Sequence, residues 1–135
     1  MYQNCSEKAA DVLVRTAAGC GLAATLRTVF GKQVSVSVPM SSRTCAAPID
    51  ELCLGTRADN ALRRERVTTL GQLADLASGD QMKLIRNMGV KSISEIKTKL
   101  LTYTYDQLDE REQRAFFLRL IEERQSLAPA HLRVV

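Results

Sequence analysis

Along the first thirty residues the apolar positions recur at helical spacing. A run from Ala9 to Phe30, opened by Ser6-Glu7-Lys8 and broken at Gly19-Cys20-Gly21, predicts a helix, a glycine break and a second short helix. The period then changes. Gln33-Val34-Ser35-Val36-Ser37-Val38 alternates apolar and polar residues up to Pro39, which predicts a short strand or extended edge segment. Residues 39–47, most of "PMSSRTCAAP", read as a linker. Beyond it, helix-start signals recur at short intervals. Thr69 with Gln72, Ser78 with Gln81, and Ser92 with Glu95 each match a capping box, in which an N-cap hydroxyl and an acid or amide three residues later satisfy orphan backbone amides reciprocally. An earlier helix, Arg57 to Arg64, is expected with Thr56 as its cap and Ala58, Ala61 and Leu62 on its apolar face. Asp109 with Glu112 opens a last helix through about Arg124, striped by Phe116, Phe117, Leu120 and Ile121.

Composition narrows the fold class. The protein has 135 residues, 45% apolar and 25% charged, which suits one packed unit with appendages. Aromatics are 4% and tryptophan is missing, so the core is expected to be aliphatic contact between helices and the fold all-α. Two places pair a helix, a glycine-containing turn and another helix: Arg57 to Leu76 through Val67-Thr68-Thr69-Leu70-Gly71, and Asp80 to Leu101 through Asn87-Met88-Gly89-Val90. This resembles the helix-hairpin-helix arrangement, whose turn offers backbone amides to a phosphate at the start of the second helix. Leu84, Ile85, Met88, Val90, Ile93, Ile96 and Leu100 have the spacing to lock the second pair together as core.

Charge and chemistry remove several classes of function. Net charge is +4 and the isoelectric point near 9.0, which leans toward a nucleic-acid partner. Cys5, Cys20, Cys45 and Cys53 never form Cys-x-x-Cys, and the single histidine is His131, so zinc-ligand spacing and histidine-based catalysis are both missing. No metal or cofactor is expected. The sequence has neither a secretory leader pattern nor an apolar run of about 18 residues, so the reading is a cytoplasmic protein with reduced thiols and no membrane association. "GVKS" at Gly89 to Ser92 is not a nucleotide-binding P-loop, because a residue separates the glycine from Lys91 and the preceding segment reads as helix.

The stretch Pro48 to Leu100, "PIDELCLGTRADNALRRERVTTLGQLADLASGDQMKLIRNMGVKSISEIKTKL", resembles the C-terminal domain of the bacterial RNA polymerase alpha subunit over 53 of the 135 residues. It carries an acidic-apolar lead-in, Arg-x-x-Asn, Leu-Gly-x-Leu, and Gly-x-Lys-Ser-x-x-Glu-Ile in the family's order. The resemblance implies a bacterial, non-enzymatic, compact helical domain that binds AT-rich upstream promoter DNA across the minor groove and contacts sigma factor, RNA polymerase and transcription activators. Arg57 then matches the arginine inserted into the groove and Asn60 its partner. Gly89, Lys91 and Ser92 match the phosphate contacts, with Asn87 and Glu95 on the same surface. Asp50 and Glu51 match the acids offered to sigma factor. Cys53 stands where a further acid is expected, Val90 replaces a common lysine and Arg86 a common proline.

The expected organisation is an N-terminal helical extension over 1–38, the linker over 39–47, the DNA-binding domain over 48–103, and a C-terminal helix and tail over 104–135. The residues before Pro48 are too few for the family's other domain, so the protein reads as a free-standing relative of the alpha subunit, with its N-terminal segment as the homodimer contact. The alternative function is a protein-interaction module that docks on sigma factor or a transcription regulator without touching DNA.

Overall fold

The computed structural model describes residues 2–30, 38–77, 82, 84–86 and 88–127. Among these residues there are seven α-helices and no strand, as expected of an all-α protein. They are α1 (Tyr2–Cys20), α2 (Leu22–Phe30), α3 (Ser42–Ala46), α4 (Thr56–Arg64), α5 (Leu70–Ala77), α6 (Val90–Asp106) and α7 (Glu110–Leu127), with a 3-10 turn at Ile49–Leu52 between α3 and α4. The predicted alternating segment 33–38 lies, except for Val38, outside the described residues, and so does the Ser78/Gln81 box apart from its flanks.

The protein forms two compact units, Met1–Val38 with Leu108–Val135, and Pro39–Gln107. The expectation of one packed unit with appendages is corrected by this division. The two ends of the sequence each carry an apolar stripe, and each stripe finds its cover on the other. In this first unit α1 buries Ala10, Leu13, Val14 and Ala17, the i, i+3, i+4, i+7 pattern of one helical face. The break at Gly21 is real: its φ is +93, a region open to glycine, while its amide donates to the Ala17 carbonyl at 2.8 Å and its own carbonyl accepts from Thr25 at 3.1 Å. Helix α2 buries Leu22, Thr25, Leu26 and Phe30. Helix α7 starts at the predicted box, with the Asp109 amide donating to Glu112 Oε1 at 3.1 Å and the Glu112 amide to Asp109 Oδ1 at 2.7 Å. Phe116 and Phe117 are both buried and meet edge to face, with ring centroids 5.1 Å apart.

The second unit is built around Ile49, Leu52, Ala58, Ala61, Leu62, Val67, Leu70, Leu73, Met82, Ile85, Met88, Ile96 and Leu100. The stretch read as a linker is part of this unit. Ser41 caps α3 by accepting from the Thr44 amide at 3.1 Å, and α3 packs on α5. Gly71, expected in the turn, lies inside α5; a Cβ there would come within 3.1 Å of the Cβ and carbonyl oxygen of Cys45, so the glycine serves the close approach of these two helices. Two backbone bonds fasten the connector to the α4–α5 turn: the Ile49 amide to the Thr68 carbonyl at 3.0 Å and the Leu70 amide to the Ala47 carbonyl at 2.9 Å. The Thr69/Gln72 box forms, each amide meeting the other's side-chain oxygen at 3.3 Å.

The left-handed residue of the α4–α5 turn is Arg66, at φ 61. Its amide donates to Arg63 and that of Val67 to Leu62, both at 3.0 Å, while Val67 and Leu62 are buried. This is a Schellman motif with arginine at the position that favours glycine. Two expected core residues are corrected. Leu84 and Val90 are each 84% exposed, because Met82, Ile85 and Met88 occupy the inward positions of their segment and the stripe of α6 is covered only from Ile93 onward.

Leu62→Ala should lower the stability of this unit by about 2–5 kcal/mol in a denaturant melt, the range for emptying a fully buried leucine site. Arg66→Gly should raise it by up to about 1 kcal/mol by relieving the left-handed arginine, and a lower melting temperature would refute that reading of the turn. Tyr105 is 3% exposed, and burial, aided by Asp106, pushes its phenol up to about 12. The folded state therefore keeps this proton after the unfolded state has lost it, so stability should fall as pH rises from 10 toward 12, a slope that Tyr105→Phe should reduce.

Candidate nucleic-acid interface

The site begins with how α4 is rotated. Ala58, Ala61 and Leu62 face the core, spaced i, i+3, i+4, which leaves Thr56, Arg57, Asn60, Arg63 and Arg64 exposed and Asp59 half-buried. Thr56, the cap expected from sequence, does not take that role; it is the first helical residue, and Gly55 takes the cap position with φ −61 and ψ 157. The Gly55 carbonyl accepts from the Asp59 amide at 2.9 Å, and Asp59 in the first turn suits the positive end of the helix dipole.

Thr56, Arg57, Asn60, Arg63 and Arg64 form one side of an open groove whose other lining residues, among those described, are Ile85, Met88 and Gly89. Ile85 and Met88 are buried at its floor, while Gly89 is exposed. Of the sequence-predicted residues, the structure thus brings Arg57, Asn60 and Gly89 together. Neither Arg57 nor Asn60 has a side-chain hydrogen bond among the described residues, and both are exposed. Asn87 lies outside the described residues.

Gly89 is the cap residue of α6, at φ −88 and ψ 174, a conformation open to any residue. A Cβ there would meet nothing within 4 Å, so neither the backbone nor the packing requires glycine. Its carbonyl accepts from the Ile93 amide at 3.0 Å, and the helix start has no cap from a side chain. Lys91 is exposed and Ser92 half-buried in the first turn that follows. The expected Ser92/Glu95 box does not form, because α6 starts at Val90 and Ser92 sits inside the helix instead of before it. Glu95 instead faces the start of α4, its Oε1 3.8 Å from a Cβ built on Gly55, and pairs with Lys99 at 3.7 Å. Lys99 donates to the Cys53 carbonyl at 2.8 Å, tying α6 to the end of the 3-10 turn, where Cys53 is left-handed at φ 51. Lys99 therefore ties α6 to the 3-10 turn that leads into α4, with Glu95 beside it.

Arg63 and Arg64 also line the groove; by sequence their charged run, Arg63-Arg64-Glu65-Arg66, reads first as a solvated helix end and second as a secondary phosphate contact. Arg64 is visible in principle, seven residues after Arg57 on the same face. Its Nη2 reaches the Arg86 carbonyl at 3.5 Å, across to the segment that supplies the groove floor. Arg63 donates from Nε to Asp59 Oδ2 at 2.8 Å and from Nη2 to Asp50 Oδ1. The bond to Asp59 first, and the charge of Asp50 next, push the Arg63 pKa up. Asp50 and Glu51 are both exposed on the 3-10 turn, and Asp50 is engaged by Arg63 within the unit. Cys20, Cys45 and Cys53 are free thiols. Among the described residues no group of three or more His, Cys, Asp or Glu side chains could hold a metal ion, and no helix is long and apolar enough to cross a membrane.

Residues 39–102 match the family model for the C-terminal domain of the alpha subunit of bacterial RNA polymerase. A DNA-directed RNA polymerase subunit alpha from Rubrobacter xylanophilus is 48% identical over 58 residues, covering 43% of this protein and 18% of the relative. The subunit of the same name from Frankia alni is 47% identical over 55 residues, 41% of this protein and 16% of the relative. That of Leuconostoc mesenteroides is 42% identical over 60 residues, 44% of this protein and 19% of the relative. The match spans less than a fifth of the length of these relatives. No solved structure matches the protein significantly. It is the second unit, through residues 39–102, that carries the likeness to the C-terminal domain family of the bacterial RNA polymerase alpha subunit.

Proposed function

We propose that the second unit is a DNA-binding, transcription-associated module that places Arg57 and Asn60 in the minor groove of AT-rich duplex and seats a backbone phosphate at Gly89, Lys91 and Ser92. The observation that carries the reading is the groove itself, which gathers Arg57, Asn60 and Gly89 with two further arginines around a small apolar floor. A narrow AT-rich minor groove concentrates negative potential and rewards an inserted guanidinium. The first turn of α6 has no acidic residue and no capping side group, so its amides and the Lys91 ammonium favour an anion. Ser92 does not cap the helix in this arrangement, which leaves its hydroxyl available to a phosphate. Open space at Gly89 allows a sugar-phosphate backbone to approach the helix start closely. Binding of this kind is dominated by phosphate contacts, depends steeply on salt, and for one small domain is on the order of micromolar or poorer at physiological salt. A homodimer through residues 1–38 would raise it by avidity.

A second reading is a docking module for sigma factor, RNA polymerase or another transcription regulator. The exposed acids Asp50 and Glu51 on the 3-10 turn favour it.

In a gel shift at low salt on an AT-rich duplex, Arg57→Ala should cost about 1–3 kcal/mol, and Lys91→Ala should weaken all sequences alike and flatten the salt dependence by about one phosphate contact. Unchanged binding in both would favour the docking reading. Gly89→Ala should weaken the same binding with no loss of thermal stability, since the added methyl group meets only open space within the protein.

A further inference from the structure

Arg63 lines the groove, yet its guanidinium is committed to two carboxylates, Asp59 on its own helix and Asp50 on the 3-10 turn. The bond to Asp59 is a local i, i+4 pair and follows α4 wherever it goes. The bond to Asp50 spans thirteen residues and joins the acidic turn to the cationic groove. Both of its partners are open to water, the side chains being 46% and 65% exposed. An ion pair so exposed is weak, so a phosphate brought up to the groove competes with Asp50 on favourable terms. Arginine suits such an exchange, because its planar fork matches a phosphate as well as a carboxylate.

We propose that Arg63 is a further phosphate-binding residue of this groove and that Asp50 holds it in reserve, acting as an internal competitor of the nucleic-acid backbone. The inference rests on the DNA-binding reading and extends it to the control of that same site. Phosphate capture by Arg63 sets Asp50 free, so DNA and a basic partner surface that engages Asp50 favour each other's binding, as reciprocity between coupled sites requires.

The test uses the full-length protein and an AT-rich duplex in fluorescence anisotropy across a salt series. Asp50→Asn should tighten binding by up to about fivefold, the factor that the upper range of an exposed pair corresponds to, and should steepen the dependence of log affinity on log salt by about one. Glu65→Gln removes the same charge from the exposed end of α4 without touching a partner of Arg63, and should give a smaller gain. Arg63→Ala added to Asp50→Asn should erase the gain. Equal gains from Asp50→Asn and Glu65→Gln, or a gain that survives Arg63→Ala, would reduce the effect to general charge and overturn the proposal. No change with Asp50→Asn while Arg57→Ala still weakens binding defeats the proposal alone. Binding that ignores Arg57→Ala defeats the DNA reading and this extension together.

Discussion

The burial of Ala58, Ala61 and Leu62 is the constraint from which the groove follows. These side chains are at most 2% exposed, and close packing around them leaves α4 one rotation about its axis. Once that rotation is set, Arg57, Asn60, Arg63 and Arg64 must face outward together. Two alanines in the stripe also let the helix lie close to its neighbours, which brings its polar face within reach of Gly89 and the buried pair Ile85 and Met88. A bulkier stripe would move the cations relative to the start of α6.

Around this helix the unit uses short connections at the backbone level. The two bonds between the connector and the α4–α5 turn, the Schellman turn at Arg66 and the Lys99 bond to Cys53 each satisfy polar groups that would otherwise be stranded at element ends. They also fix the 3-10 turn beside α4, so that Asp50 lies within reach of Arg63. The acidic and basic features of the domain are consequently not independent surfaces. They share a guanidinium.

Much of this was legible in the sequence. The Thr69/Gln72 and Asp109/Glu112 boxes, the break at Gly21, and the apolar stripe of α4 are local, since each depends on residues three or four apart. The family resemblance groups Arg57, Asn60, Asn87, Gly89, Lys91, Ser92 and Glu95; of these the groove gathers Arg57, Asn60 and Gly89. The misreadings have equally local causes. Thr56 and Ser92 have the chemistry of caps, but a cap works only at the boundary residue, and packing moved the starts of α4 and α6 to just after Gly55 and Gly89. Gly71 looked like a turn glycine, whereas its missing side group serves the contact with Cys45. The helix α3 was hidden because five residues between two prolines show too little periodicity to be recognised.

Local sequence was enough for the helical class, most helix positions and the polar face of α4, because propensity, capping and amphipathic spacing act over one or two turns. It did not reveal that the two ends of the protein form one unit, that Leu84 and Val90 remain exposed, or that Arg63 is bound to Asp50 thirteen residues away. Those outcomes depend on which faces meet. Helical period tells which residues share a face, while the packing of the helices selects what that face is set against.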